Sequence, residues 1–242
     1  MLMARRTKLM HRFAVGLLGI LPLSLAGQTA SASNSQLPAL DQVLDQHLKA
    51  IGGRAALHDI GPLVLKGNCN SSHESESGPL EIVVQSPKVV YDLNGGNLRM
   101  GYDGDSVWRK TSSEPLQQRK GRQFAELATV FDPSRALWWK QWYPQIAVAG
   151  TRNIDGRDAF VLETVPGSPN TERLFIDRQS GLLIRDEVTS QFIFTLSDYR
   201  PVKGVMIAFT IEEKTPDGAT YTYRFEDIKV AGAIDDSRFR PR

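Results

Sequence analysis

The spacing of apolar residues changes once along the chain. Between Leu40 and Ile51 they fall on a single stripe at i, i+3, i+4, i+7, i+8 and i+11, which predicts an amphipathic helix over residues 39–51. Gly52 and Gly53 end that helix, and a shorter helix is predicted over residues 54–60. From Leu63 onward the period is two for most of the chain, which is typical of strands with one buried face.

Residues 81–109 show the strand pattern most clearly. They predict three short strands, because β-branched and aromatic residues are separated by turn sequences that accept positive φ. Those turns are Asn94-Gly95-Gly96 and Asp103-Gly104. The same reasoning predicts one strand before this stretch and seven after residue 144: residues 63–70, 145–153, 158–165, 171–177, 182–188, 191–199, 205–215 and 219–230.

The connections between these strands are short, so the strands should pair antiparallel and in sequence order. About ten strands with one apolar face and few helices predict a mainly β (α+β) fold. The expected architecture is a strongly curved antiparallel sheet or incomplete β-barrel, capped by N-terminal and inserted helices. Residues 33–242 are predicted to form this fold as a single domain.

Residues 121–144 interrupt the strand pattern and hold three of the four tryptophans. Two helices are predicted here, because Asp132-Pro133-Ser134 ends one helix and caps the next. One interpretation is a plug that completes the core, which is favoured for any single aromatic residue. The other is a lid over an apolar cavity. The apolar residues at helical spacing are Phe124, Leu127, Ala128, Phe131, Leu137, Trp138 and Trp142.

The first 32 residues predict a secretory signal peptide. Four basic residues precede an apolar run of about 14 residues, and Ala30-Ser31-Ala32 predicts cleavage after Ala32. The run is shorter than the roughly 20 residues of a membrane-spanning helix, so no integral membrane segment is expected after cleavage. The mature protein is therefore expected to be a periplasmic monomer.

Composition excludes several function classes. Removal of residues 1–32 leaves 25 basic and 27 acidic side chains, so the basic pI of the whole chain gives no support for nucleic-acid binding. Cys69 is the only cysteine, which excludes an intramolecular disulfide. No residue spacing matches a metal site or a phosphate-binding loop, so the sequence predicts no metal, no cofactor and no enzymatic activity.

A hydrolase is the weaker alternative. Gly104-Asp105-Ser106 is similar to the start of an esterase motif, but it lies in a predicted hairpin with no helix after it. Such an enzyme would need Ser106 to meet a histidine, either His47 or His58, in the folded chain.

The order of elements resembles the LolA/LolB-like superfamily of periplasmic lipoprotein carriers. The matching segments are Pro87 with its following strand, GYDGDSVW with Tyr102 and Trp108, the DRQSGLLIR hairpin, and DYRPVKGVMIAFTIE. In order they extend over about residues 40–239. The chain lacks the lipobox of the outer-membrane receptor branch, which indicates a soluble carrier.

The resemblance implies an open β-barrel that is closed by helices and whose apolar cavity holds acyl chains. Its expected partners are lipid or lipoprotein acyl chains and proteins of the inner and outer membranes, as in outer-membrane lipoprotein sorting. Arg99 is the candidate for the arginine that closes the lid in these carriers. The candidate cavity and lid residues are Tyr91, Leu93, Met100, Trp108, Phe124, Phe131, Trp138, Trp142, Phe160 and Phe194.

An alternative from another class is a non-catalytic cell-envelope interaction or sensor module on the same scaffold. Its core would be filled, and it would act through its surface or a sheet edge. The two hypotheses differ in one measurable property, since a ligand site needs a cavity of roughly 300 Å³ or more.

Overall fold

Two N-terminal helices, an inserted helical segment and one sheet make up the computed structural model. It describes residues 37–73, 76–120, 128–168 and 171–241. The predicted signal peptide and the candidate residue Phe124 lie outside these ranges. Helices α1 (Leu40–Ala50) and α2 (Gly53–Asp59) begin and end within one residue of their predicted bounds. None of the described helices combines the length and the apolar character needed to cross a membrane.

Thirteen strands form one antiparallel sheet in the described part of the chain. The order across the sheet is β6-β5-β4-β3-β2-β1-β13-β12-β11-β10-β9-β8-β7, so β6 and β7 are its edges. The strands are β1 (Leu63–Ser71), β2 (Gly78–Gln85), β3 (Lys88–Leu93), β4 (Leu98–Tyr102), β5 (Val107–Thr111), β6 (Gln117–Arg119), β7 (Ala147–Ile154), β8 (Arg157–Glu163), β9 (Arg173–Asp177), β10 (Leu183–Glu187), β11 (Ile193–Val202), β12 (Val205–Lys214) and β13 (Thr220–Val230).

The strand count exceeds the predicted number of about ten because the first half of the sheet was under-counted. Residues 81–109 belong to four strands, β2 to β5, where three were predicted. Strand β6 has the sequence QQR and no apolar residue, so hydrophobic alternation could not reveal it. The seven strands after residue 144 all occur within a few residues of their predicted bounds.

The pairing register assigns each side chain to one of two faces, since directly paired residues share a face. Leu65, Ile82, Tyr91 and Met100 form one row across β1 to β4. This inner face packs against α1, α2 and the insertion in one large apolar cluster. The neighbouring row on the outer face contains Val83, Val90, Gly101 and Trp108.

The C-terminal segment covers part of the outer face. Phe239 is fully buried and packs with Val83, Val90 and Trp108 in a separate cluster. The indole Nε1 of Trp108 donates a hydrogen bond of 2.7 Å to the Phe239 carbonyl. The Lys88 ammonium lies 2.7 Å from the Asp236 carboxylate, and this ion pair holds the same segment just before Phe239. Gly101 permits this packing, because a Cβ there would lie 2.9 Å from the Trp108 ring.

Strand β8 has apolar residues on both faces and is the second strand from the edge of the sheet. Its outer face packs in a small cluster with Phe175 and Ile184. The guanidinium groups of Arg152 and Arg185 lie 5.5 and 5.9 Å from the Phe175 ring. Side chains of the sheet itself therefore cover this face.

The first helix predicted in the insertion lies mostly outside the described residues, and the described part, from residue 128 onward, is less regular than predicted. Asp132 accepts a hydrogen bond from the Ser134 backbone N–H and caps a 3₁₀ turn at Pro133–Leu137, and helix α3 follows at Trp139–Trp142. The 3₁₀ turn shifts the rotational phase of the side chains relative to an α-helix. Trp139 is therefore the buried tryptophan of the insertion, whereas Trp138 and Trp142 are only partly buried.

Replacing Phe239 by Ala should lower the free energy of unfolding by about 3–5 kcal/mol, because it empties a fully buried aromatic site. Urea unfolding followed by circular dichroism measures the change. The matched control is Arg240→Ala, which alters an exposed neighbour and should change stability by less than about 0.5 kcal/mol. Equal effects of the two variants would show that the C-terminal segment does not stabilise the fold.

Candidate functional site beneath the insertion

A cleft lies between the inner face of the sheet and the insertion. Its wall on the sheet side is apolar and comes from β1, β10, β11 and β12, while Val130, Phe131, Ala136 and Trp139 form the opposite wall. Four polar residues also border it: His47, Asp132, Arg135 and Tyr199. The apolar residues on the sheet side are Leu65, Leu183, Leu196, Met206, Ile207, Ala208 and Ile211.

The space within this cleft is small. Its volume is about 50 Å³, whereas ligand pockets usually measure about 300–1,000 Å³. A water molecule needs roughly 10–15 Å³ of such space, so the cleft could hold a few waters. An acyl chain would fit there only after the insertion moves away from the sheet.

A buried ion pair connects the insertion to the sheet. Arg135 hydrogen-bonds the carboxylate of Asp186 in β10, and its other terminal nitrogen lies 4.0 Å from Glu172. All three side chains are at most 5% exposed. Burial acts to lower the pKa of Arg135, but the charges of Asp186 and Glu172 raise it above its ordinary value, so the guanidinium stays charged.

Two aromatic residues of the insertion extend this connection. The Tyr143 hydroxyl donates a hydrogen bond to Glu172. The Trp139 ring lies 6.0 Å from the Arg135 guanidinium on one side and stacks on the His47 ring of α1 at 5.1 Å. The insertion is therefore held by charge, hydrogen bonding and ring packing at one place on the inner face.

His47 is neutral in this environment. Burial lowers the pKa of His47 to about 4, and the charge of Arg135 also lowers it. The hydrogen bond with Gly181 acts in the opposite direction and raises the pKa. Because the Gly181 carbonyl can only accept, the proton of the ring lies on Nδ1 and donates to it at 2.8 Å.

Asp132 is the second buried acid of the insertion, and it is 2% exposed. Its Oδ1 accepts the Ser134 backbone N–H at 2.8 Å, whereas Oδ2 is enclosed and makes no hydrogen bond within the described residues. Burial raises the pKa of this carboxyl against the opposing interactions with Ser86, Ser134 and Arg135. The neighbouring Asp186 likewise has one enclosed oxygen, Oδ1, that makes no hydrogen bond within the described residues.

Most of the predicted cavity residues share the inner face. Four of them, Tyr91, Leu93, Phe131 and Phe194, are buried in the main apolar cluster. Met100, Trp142 and Phe160 are partly buried and pack against it. Phe131 is the member of the predicted set that borders the cleft in the described part of the chain.

Three of the predicted site residues lie apart from the cavity residues on the inner face. Trp108 and Arg99 lie on the outer face, where the Arg99 guanidinium is 5.6 Å from the Trp108 ring and its Nε is 3.1 Å from Asp92. The buried arginine between insertion and sheet is therefore Arg135 and not Arg99. Trp138 contacts His58 of α2 edge to face, with ring centroids 6.5 Å apart.

Sequence reasoning missed the residues that hold the insertion in place. Arg135 follows the Asp132 cap by three residues and was absorbed into the helical pattern. Asp186 lies in the charged run Arg185-Asp186-Glu187 of β10 and is buried, which was the available signal, since an acid on a buried strand needs a partner. The partner itself is 51 residues away in sequence.

The inner face has a polar end near Tyr221 and Tyr223. Tyr223 donates a 2.5 Å hydrogen bond to Glu213, and Tyr221 donates one to Glu76. Burial raises the pKa of Glu213 to about 7. The charge of Glu76 also raises this pKa, whereas the Tyr223 hydrogen bond lowers it. The apolar surface that includes Phe131 therefore ends at ionisable groups, because Phe131 contacts the Tyr223 ring edge to face at 5.3 Å.

The hydrolase constellation does not form around Ser106. The Ser106 hydroxyl donates to Asp103 at 3.3 Å within its own turn, whereas His47 bonds Gly181 and His58 contacts Trp138. In the described ranges, no three His, Cys, Asp or Glu side chains are grouped as metal ligands would be.

Two solved structures share this architecture. A LolA superfamily protein from Nitrosomonas europaea has a TM-score of 0.53 and 10% identity, over 85% of this chain and 99% of that one. A DUF1329 family protein from Desulfovibrio piger has a TM-score of 0.52 and 10% identity, over 83% of this chain and 96% of that one. The fold is LolA-like. No protein-family model matches the sequence, and no curated protein matches it.

The neutral His47 should make the LolA-like fold acid-sensitive. Its pKa of about 4 in the folded state lies below the ordinary value of 6.5, so stability is retained above pH 6.5 and lost as the pH falls toward 4. The loss should approach about 3 kcal/mol. Urea unfolding between pH 7 and 4.5 measures it, and His47→Asn should flatten the profile whereas His58→Asn, at an exposed site, should not. An unchanged profile in His47→Asn would contradict the assignment.

The Arg135 ion pair gives a second prediction. Arg135→Met should destabilise the LolA-like fold by about 3–5 kcal/mol, because it leaves buried carboxylates without their cation. The double variant Arg135→Met/Asp186→Leu should recover a large part of that loss. The control Arg54→Met removes an exposed pair with Asp45 and should cost less than about 1 kcal/mol. Additive effects of Arg135→Met and Asp186→Leu would show that the two residues do not interact.

Proposed function

We propose that this protein binds acyl chains of a lipid or lipoprotein non-covalently, between the inner face of the sheet and the insertion, as a carrier in the periplasm. The observation that carries the proposal is the apolar cleft beneath the insertion. The LolA-like fold supports it, since the carriers that the sequence resembles hold acyl chains at this place. We propose binding and not catalysis, because Ser106 and the histidines occupy separate environments.

The small volume of the cleft defines how such binding would occur. At about 50 Å³ the cleft is closed to a chain, so the insertion has to act as a lid that moves away from the inner face. Its polar attachment is concentrated at Arg135, Tyr143 and their acidic partners. The insertion also packs apolar side chains on the inner face of the sheet, and an acyl chain could replace those contacts with little loss of buried apolar area.

The same small volume favours a second function, an interaction module of the cell envelope with a filled core. In that case the insertion is a permanent part of the core, and partners bind the surface or a sheet edge. The 8-residue edge strand β7 offers unpaired backbone groups for such a contact.

Native mass spectrometry of the mature protein from envelope extract, followed by solvent extraction, distinguishes the two functions. The carrier should retain acylated molecules, and Ala136→Leu, which fills the cleft, should reduce their amount several-fold. Ala55→Leu adds the same side chain at an exposed position of α2 and should leave the amount unchanged. A mass without ligand, also after incubation with lipids, would reject the carrier and favour the interaction module.

A further inference from the structure

A second space lies next to the cleft, at the end of the sheet where α1 meets two turns. This recess is bordered by α1, by the turn between β7 and β8 and by the turn between β9 and β10. Gln46 borders the recess, whereas the following residue, His47, borders the cleft. The recess opens to solvent and has a volume of about 630 Å³, and ligand pockets usually measure about 300–1,000 Å³. Unlike the cleft, it therefore has room for a guest molecule.

One wall of the recess carries the guanidinium group of Arg178. This group lies over the Phe160 ring, 5.3 Å from the ring centroid. Phe160 belongs to the inner face and packs against the main apolar cluster. None of the carboxylates that the structure describes forms an ion pair with Arg178. The ring covers one face of the guanidinium, so the N–H groups at its edge stay available to a phosphate or carboxylate.

The same recess also contains the carboxylate of Asp158. Alternation along β8 puts this residue on the same face as Phe160. Its Oδ1 accepts a hydrogen bond from Asn153 at 2.9 Å, and within the described ranges no Lys or Arg pairs with it. The two other charged residues of the recess compensate each other, since the Arg157 Nε lies 3.0 Å from the Asp177 carboxylate.

The charges of Arg178 and Asp158 restrict the chemistry of a guest. The two residues are neighbours, because the Arg178 backbone N–H donates to the Asp158 carbonyl at 2.8 Å, yet their side chains form no ion pair with each other. Arg178 would attract an anion that Asp158 repels, and a cation would meet the reverse. We infer that they form a subsite for a zwitterionic lipid head group, in which Arg178 binds a phosphate and Asp158 an ammonium group. This inference rests on the proposed function, and it adds the chemical class of the head group.

Three ligands with the same dodecanoyl chain test the inference. Dodecanoyl lysophosphatidylethanolamine has a zwitterionic head, dodecanoyl lysophosphatidic acid has an anionic head, and monododecanoylglycerol is uncharged. Their dissociation constants are measured by displacement of a fluorescent acyl probe from the mature protein, below the concentrations at which the ligands form micelles. The wild type should bind the zwitterion about three- to tenfold more tightly than either of the others, as expected for two solvent-exposed charge contacts.

Two variants remove the two charges separately. Arg178→Gln loses the phosphate contact, so the preference for the zwitterion over the uncharged ligand should fall to about twofold or less. Asp158→Asn keeps an oxygen for Asn153 but loses the acid, so the zwitterion should bind about threefold more weakly and the anion about threefold more tightly. The matched control is Arg152→Gln, because Arg152 is also exposed and lies 5.5 Å from a phenyl ring, but on the outer face. It should leave the binding of all three ligands unchanged.

Each outcome decides the inference. Equal binding of the three ligands by the wild type, or tighter binding of the anion than of the zwitterion, overturns it while the proposed carrier function stands. A loss in Arg178→Gln or Asp158→Asn that is the same for all three ligands also overturns it, since the residue then only supports the fold. Phosphoethanolamine without a chain is the fourth probe, and if it binds as tightly as the lysolipid, the recess takes a soluble zwitterion and not a lipid head. Failure of the wild type to bind any of the three dodecanoyl ligands overturns the carrier function and the inference together.

Discussion

One buried guanidinium determines where the insertion rests. Arg135 lies between carboxyl groups from two neighbouring parts of the sheet, Asp186 in β10 and Glu172 just before β9, with the Trp139 ring beside it. Burying these charges costs free energy unless they meet in good geometry. A shift of the insertion would therefore leave buried charges without their partners. Apolar contacts alone would tolerate sliding of a short irregular helix over the sheet. The ion pair specifies one position, and the cleft next to it has its shape because of that position.

The ion pair depends in turn on an irregularity of β10. A register shift between Leu183 and Arg185 interrupts the alternation of faces. Leu183 belongs to the inner cluster and Ile184 to the outer one, while Arg185 lies beside the outer Phe175 and Asp186 points inward to Arg135. Strict alternation would place Arg185 inside and Asp186 in solvent. The period-two pattern finds β10 correctly but assigns its charged residues to the wrong faces, so sequence reasoning could not find the pair.

Other differences between prediction and structure have similar local causes. The two N-terminal helices, the turns and most strands follow from period and turn residues, and these were predicted within a few residues. The inner and outer faces were harder to assign for strands that are apolar on both faces, such as β2 and β3. In these strands Ile82 and Tyr91 point inward, whereas Val83 and Val90 point outward. Trp108 joins the outer pair because of its register with Gly101. Its partner Phe239 is 131 residues away in sequence, so the residue pattern within β5 cannot predict that contact.

The strength of the Arg135 contact also sets a lower limit on the length of an acyl chain that could displace the insertion. Separating a buried ion pair costs about 3–5 kcal/mol when the carboxylates stay enclosed, and each methylene moved from water into an apolar site returns about 0.8 kcal/mol. About four to six methylenes would therefore offset the cost of displacing the insertion. Under the proposed function, short acids and alcohols would leave the cleft closed, whereas chains of twelve or more carbons would have enough apolar surface to open it. A cleft of about 50 Å³ therefore agrees with the proposed carrier function, since the ion pair that holds the insertion in place would be weak enough for a long acyl chain to displace it.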